Sequence, residues 1–176
     1  MSRALFENRV EAAMLTGMDR SQAEQYVLGY AELQALYHSA LEATVEIDEE
    51  SIRTQQAESR KEVEQMAEAG DPETGGNYAK VYFDTLVENG VDLEDYWALE
   101  LERWIMDETI LAFTQKLHDN NYIGLGQSET DEAAWQEYCV AFTRSELEGK
   151  QNLQLAPDLH WELTADNYHA NLWPEL

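Results

Sequence analysis

The groups able to do chemistry in this 176-residue chain are four histidines, one cysteine and 36 carboxylates. A carboxylate-bridged di-iron centre needs Glu-x-x-His on facing helices. None of His38, His118, His160 and His169 has Glu three residues before it, and the Asp166–His169 spacing has no second copy. Two segments approach a calcium loop, Asp71-x-Glu73-x-x-Gly76 and Asp119-x-Asn121-x-x-Gly124. Both fail where calcium needs them most. The bidentate Glu of the twelfth position is replaced by Tyr82 or Thr130, and the fifth ligand by Gly75 or Ile123. Cys139 falls between Trp135 and Phe142 at helical spacing, where a thiol behaves as a small hydrophobe. No serine occupies a Gly-x-Ser-x-Gly elbow and no glycine run forms a phosphate loop. Paired carboxylates can act as acid and base, but so many carboxylates also pair by accident. The reading is therefore not an enzyme, with no catalytic, cofactor-binding or metal-ligating residue assigned.

The carboxylates carry more information as a set. Against 36 Asp and Glu stand only 11 Lys and Arg, a formal charge of −25. Self-repulsion of that size opposes folding, and it also repels nucleic acid and anionic membranes. Disorder does not account for it, because 44% of residues are apolar and 10% aromatic, spread from Phe6 to Trp173. Adaptation to high salt is a second explanation, supported by scarce lysine and opposed by five tryptophans and a Glu-to-Asp ratio of 25 to 11. An ordinary solvated helix face mixes its charges at i,i+4 spacing. Here Glu58/Glu62 and Glu64/Glu68 set like charges together, and Asp92, Glu94 and Asp95 have no cation until Arg103.

Magnitudes suggest what such a surface resembles. Duplex DNA carries one charge per 1.7 Å, so the −25 charge matches roughly 42 Å of duplex. A domain of this length is roughly 40 Å across. The partner implied is a basic nucleic-acid-binding protein or nucleoprotein complex whose groove the chain blocks, with no direct contact to nucleic acid or membrane. Expected contact residues are Glu49, Glu50, Glu58, Glu62, Glu64 and Glu68, together with Asp92, Glu94 and Asp95. Phage-encoded anti-restriction and anti-CRISPR proteins include such acidic mimics. The likeness is one of type, carried by charge and by no motif. The alternative is an acidic helical adaptor or assembly chaperone without mimicry.

The elements that must present these residues read as an all-α bundle of about six helices. Ser2 caps a first helix reaching about Thr16, with Gly17 ending it. Ser21-Gln22-Ala23-Glu24 has the pattern of a capping box for the second helix. Along that helix Tyr26, Tyr30, Leu33, Tyr37, Ala40 and Leu41 share a stripe, read as core, with a homodimer or partner surface as its other use. Asp48 or Ser51 opens an outer third helix that ends at Gly70, its apolar seam of Ile52, Val63 and Met66 interrupted by Gln56 and Ser59. Residues 71–77 form a loop and candidate hinge.

A fourth helix carries Ala79, Phe83, Leu86 and Val87 up to Gly90. Asp92 caps a fifth that runs to about His118. One of its stripes is Leu99, Met106, Ile110, Phe113 and Leu117; the other is Leu93, Trp97, Leu101, Trp104 and Leu111. Two stripes call for contact on two sides. The sixth helix spans about Asp131–Leu147. The domain reading is a bundle over 1–149 and a packed extension over 150–176, irregular or weakly β around Leu153–Leu155 and His160–Leu163. One cysteine, no signal-peptide core and no bilayer-length apolar run point to a cytoplasmic protein, in a bacterial host if phage-encoded.

Overall fold

The computed structural model describes residues 3–14, 17–121, 129–150, 163–164, 168 and 170–174. It has six α-helices: α1 (Arg3–Met14), α2 (Arg20–Glu42), α3 (Glu49–Ala69), α4 (Gly76–Glu88), α5 (Leu93–Asn121) and α6 (Glu129–Lys150). Short 3-10 turns occur at Pro72–Thr74 and Ala170–Leu172, and no strand occurs among the described residues. The all-α reading therefore holds. Ser2, the 122–128 segment and the weakly β stretch up to 162 lie outside the described residues.

Helix starts follow side-chain chemistry closely. Asp48 accepts from the Ser51 amide at 3.0 Å to open α3, and Asp92 accepts from the Glu94 amide at 2.7 Å to open α5. At α2 the box sits two residues earlier than its sequence pattern suggests. Asp19 accepts from Gln22 N at 2.9 Å, and Gln22 Oε1 accepts from Asp19 N at 3.0 Å. Asp19 is extended (φ −70°, ψ 168°), as a cap must be, whereas Ser21 is already inside the helix.

Two glycines are required by geometry. Gly70 ends α3 at φ +61°, with its amide on the Met66 carbonyl at 3.0 Å. Gly76 then starts α4 so close to α3 that a Cβ there would lie 2.0 Å from the Met66 carbonyl oxygen. Residues 71–77 are thus a tight connection holding a 3-10 turn, with Asp71 accepting from the Glu73 amide at 2.9 Å.

The chain forms two compact units. One comprises 1–45 with 109–176, the other Glu46–Glu108. In the first, α2 packs on both α1 and α6. Phe6, Val10 and Ala13 of α1 meet Ala23, Val27 and Leu28 of α2. Further along, Ala31 and Ala35 meet Val140 and Leu147 of α6, with Leu163. Farther round, Phe113, Trp135, Tyr138, Phe142 and Trp173 form a ring cluster with centroids 5.5–6.4 Å apart. The C-terminal segment is tied down by Thr114 Oγ1 donating to Leu172 O at 2.6 Å and Trp135 Nε1 donating to Pro174 O at 2.9 Å.

The α2 stripe is divided: Ala40 is buried, Leu33 and Tyr37 are half-buried, and Tyr26, Tyr30 and Leu41 are exposed. Tyr26 is 58% exposed and Tyr30 is exposed as well, while Ala23, Ala31, Ala35, Ser39 and Ala40 are buried. Beside the buried Val27, Leu28 and Leu36, small side chains let the α2 backbone approach α1 and α6, and Tyr26 and Tyr30 occupy the side left open. The stripes of α5 are also reassigned. Trp97 is buried in the Glu46–Glu108 unit, and Ile110 and Phe113 are buried in the other. The buried residues of α5 thus serve two units in succession along the helix, and each stripe spans both. Leu99, placed in one of them by spacing, is exposed, as is Val87 of α4.

These assignments predict opposite outcomes for adjacent faces of α2. Ala35→Leu should destabilise the protein by about 1–3 kcal/mol through overpacking, whereas Tyr26→Ser should stay within about 0.5 kcal/mol of the parent. Thermal or urea unfolding reads both. Equal losses would restore the tyrosine stripe to the core.

Candidate acidic interaction surface

All nine residues singled out by charge pattern fall in the Glu46–Glu108 unit. That unit holds nineteen Asp and Glu against five Lys and Arg, a net −14 of the chain's −25. More than half the surplus charge thus sits on little more than a third of the residues.

The unit folds because α3, α4 and the start of α5 bury one aromatic core. Ala67, Phe83 and Trp97 are buried, with Val63, Ala79, Leu86, Leu93 and Tyr96 packed around them. Phe83, Tyr96 and Trp97 stand edge-to-face at 5.1–6.1 Å between centroids, a favoured geometry for ring quadrupoles. Gln56, an apparent break in the seam of α3, is buried and donates to the Trp97 carbonyl at 3.4 Å.

Arg60 joins α3 to α5. Its Nε donates to Glu64 Oε1 at 2.8 Å, and its Nη1 and Nη2 both donate to the Glu94 carboxylate, Nη1 at 2.9 Å. The guanidinium also lies 5.7 Å from the Trp97 ring centroid. The bidentate Glu94 bond raises the Arg60 pKa, and the same bond holds Glu94 below its ordinary value. Glu64 and Glu94 therefore serve the fold first and a partner second.

The other candidates divide similarly. Glu49 pairs with Arg53 at 3.3 Å on an exposed face, and Asp92 is spent on its cap. Glu50, Glu58, Glu62, Glu68 and Asp95 are exposed, and none of their carboxylates enters an ion pair among the described residues. On an ideal helix, Glu58 and Glu62 lie roughly a third of a turn from Glu50 and Glu68. The outer surface of α3 thus carries two acidic flanks instead of a single ridge, with exposed Lys61 between them.

Sequence reasoning missed two things. Glu32 is a carboxylate off the surface, 1% exposed within α2. The second is apolar: Tyr78, Val81 and Tyr82 on α4 and Leu99 on α5 are all at least half exposed. Their i, i+3, i+4 spacing was the available signal, hidden because the same helix also carries the core-facing stripe of buried Phe83 and partly buried Ala79 and Leu86. Tyr82 meets Tyr96 at 5.9 Å, ring centroid to ring centroid. Burial and the nearby Glu100 push the Tyr96 hydroxyl up to about 12, so it stays neutral.

Elsewhere the candidate chemistry is quiet. Burial pushes the Cys139 thiol up to about 12, which keeps it protonated. Among the described residues no group of three or more His, Cys, Asp or Glu is placed to hold a metal ion, and no helix is long and apolar enough to cross a membrane. Comparison of the chain with protein-family models, curated proteins and solved structures finds no match. The class defined by fold and surface is thus an acidic, all-α protein of two units with its charge weighted to one of them.

The Arg60 clip makes a pH prediction. Because Glu94 is depressed in the folded state, its stabilisation is fully present above the ordinary value of 4.5 and is lost as pH falls through the folded value. The stability gap between the parent and Glu94→Gln should be open at pH 7 and should close as pH falls below 4.5 and through the lower folded value. Chemical denaturation across that range measures it; a gap independent of pH would remove the clip from the account.

Proposed function

We propose that the protein is an acidic inhibitor that occupies the basic nucleic-acid groove of a target protein or nucleoprotein complex, as anti-CRISPR and anti-restriction mimics do. The observation that carries this reading is the concentration of −14 in the Glu46–Glu108 unit, with Glu50, Glu58, Glu62, Glu68 and Asp95 exposed and outside ion pairs. Helix α3, with its 21 residues, is about 31 Å long. Duplex of that length carries about 18 phosphates. The unit therefore approaches the charge density a cationic groove is built to accept. Its carboxylates would take the places of phosphates against Lys and Arg and release the same counterions from the groove. Binding by this route is fast and steeply salt-dependent. It needs no cofactor or bond-making step, and its site is cytoplasmic, where such targets act.

A second reading, an acidic helical adaptor or assembly chaperone, is favoured by one observation. The exposed Tyr78, Val81, Tyr82 and Leu99 offer apolar contact that phosphate mimicry does not require. The two readings part on ionic strength and on competition with nucleic acid.

The test uses a guide-RNA-loaded CRISPR nuclease and a restriction endonuclease as targets, each with fluorescent duplex substrate. The parent protein is expected to displace duplex from at least one of them, with affinity falling as salt rises. The combined Glu58→Lys, Glu62→Lys and Glu68→Lys variant should lose at least about tenfold in potency. Each carboxylate removed should lower the slope of log affinity against log salt by about one. Undiminished inhibition by the reversed variant would sink the mimic reading.

A further inference from the structure

The exposed apolar residues of α4 and α5 require a separate account, because solubility and phosphate mimicry both argue against them. On α4, Tyr78, Val81 and Tyr82 are 76%, 65% and 50% exposed, spaced i, i+3 and i+4 on one face. The opposite face supplies the buried Phe83 and the partly buried Ala79 and Leu86, so the outer stripe is not the core stripe misread. On α5, Leu99 is 64% exposed, one turn beyond Tyr96. The Tyr82–Tyr96 ring contact brings the α4 stripe beside that face of α5.

Carboxylates border this apolar strip. Asp92 and Asp95 stand one turn before Tyr96 and Leu99 on α5, and both are exposed. Glu100 acts on the Tyr96 hydroxyl from the other side, and on α4 the exposed Asp84 and Glu88 follow the stripe by three and six or seven residues. The nearby cations are already engaged, Lys80 with Asp84 at 2.6 Å and Arg103 with Glu100 and Asp107 at 4.0 Å. An aromatic and aliphatic strip inside an anionic frame is complementary to an amphipathic cationic segment. Leucine or methionine side chains would lie on the tyrosines, and arginines would reach Asp95 and Glu88, which are exposed and enter no ion pair among the described residues, while stacking on ring faces. A second copy of this chain fits poorly, since pairing the strips would face one net −14 unit with another.

We infer that the Tyr78/Val81/Tyr82 face of α4, with Leu99 of α5, is a docking strip for a basic amphipathic helix of a partner protein. The inference deepens the proposed function by naming the protein segment beside the groove that anchors the inhibitor. It gives apolar anchorage to a contact whose charges supply rate more than lifetime. It can also stand if mimicry fails, because its occupant is a protein segment and not a phosphate-binding groove.

Two synthetic peptides of equal length and charge test it against the full-length protein by fluorescence anisotropy. One is an amphipathic helix of arginine and leucine, the other an arginine–serine peptide. The parent should bind the arginine–leucine peptide at least about tenfold more tightly, and that preference should persist in high salt while the arginine–serine complex dissociates. The Tyr78→Ser, Val81→Ser, Tyr82→Ser triple variant should erase the preference and leave arginine–serine binding within about twofold, as expected for a change in apolar contact alone. Circular dichroism checks that its helices remain; should they not, Leu99→Ser, at an exposed site on α5, is read in its place. By contrast, Glu58→Lys, Glu62→Lys and Glu68→Lys should weaken both peptides alike and keep the preference. Equal binding of both peptides, or a preference untouched by the serine variants, would overturn the inference. A dimer that sedimentation detects and the serine variants dissolve would also overturn it, by giving the strip to a second copy.

Discussion

Like-charge repulsion within Glu46–Glu108 is the constraint around which the rest of that unit is arranged. Nineteen carboxylates and five cations share a stretch too short to separate them widely. Neighbouring like charges on a helix cost only about 0.2–0.5 kcal/mol per pair, because water screens them. Truncating one large aromatic core residue costs about 3–5 kcal/mol. A small core of Phe83, Trp97 and Ala67 can therefore hold several unfavourable pairs in place, and the charges remain free to serve another purpose. Arg60 adds direction to that core, since its fork engages carboxylates of both α3 and α5 over the Trp97 ring.

The same economy explains why carboxylates equivalent by composition differ in role. Where a cation or a helix amide is within reach, a carboxylate is absorbed into the fold, as Glu64, Glu94 and Asp92 are. Where no such bond forms, it stays exposed to water, as Glu58, Glu62 and Glu68 do. Only the second kind can be neutralised by a partner without loss to the fold. The apolar strip of α4 lies beside Asp95, so attraction and anchorage belong to one unit.

Much of the fold was legible along the chain. Caps at Asp48 and Asp92, the left-handed stop at Gly70 and the number of helices follow from local chemistry, because each depends on a few neighbouring residues. The core face of α2 was not legible. Tyrosines at helical spacing offer far more apolar area than alanines, yet close packing on two neighbours favours alanine. The division of α5 between two units was also hidden, since two apolar stripes on one helix are equally consistent with two partners at one level or two in succession. Gln56 read as a gap in a seam, and its Trp97 carbonyl partner lies 41 residues away. Of the candidate surface, its location and sign were legible, while its split into two flanks and its apolar neighbour were not.

What the amino-acid order alone determined is the helical class, the number of helices and the excess of negative charge, because these come from short-range periodicity, capping groups and composition. What only the tertiary structure decided is which faces are buried, which carboxylates Arg60 consumes and which tyrosines are left outside. The physical reason is that burial and ion pairing depend on distances between residues far apart in sequence, and those distances exist only once α3, α4 and α5 have packed.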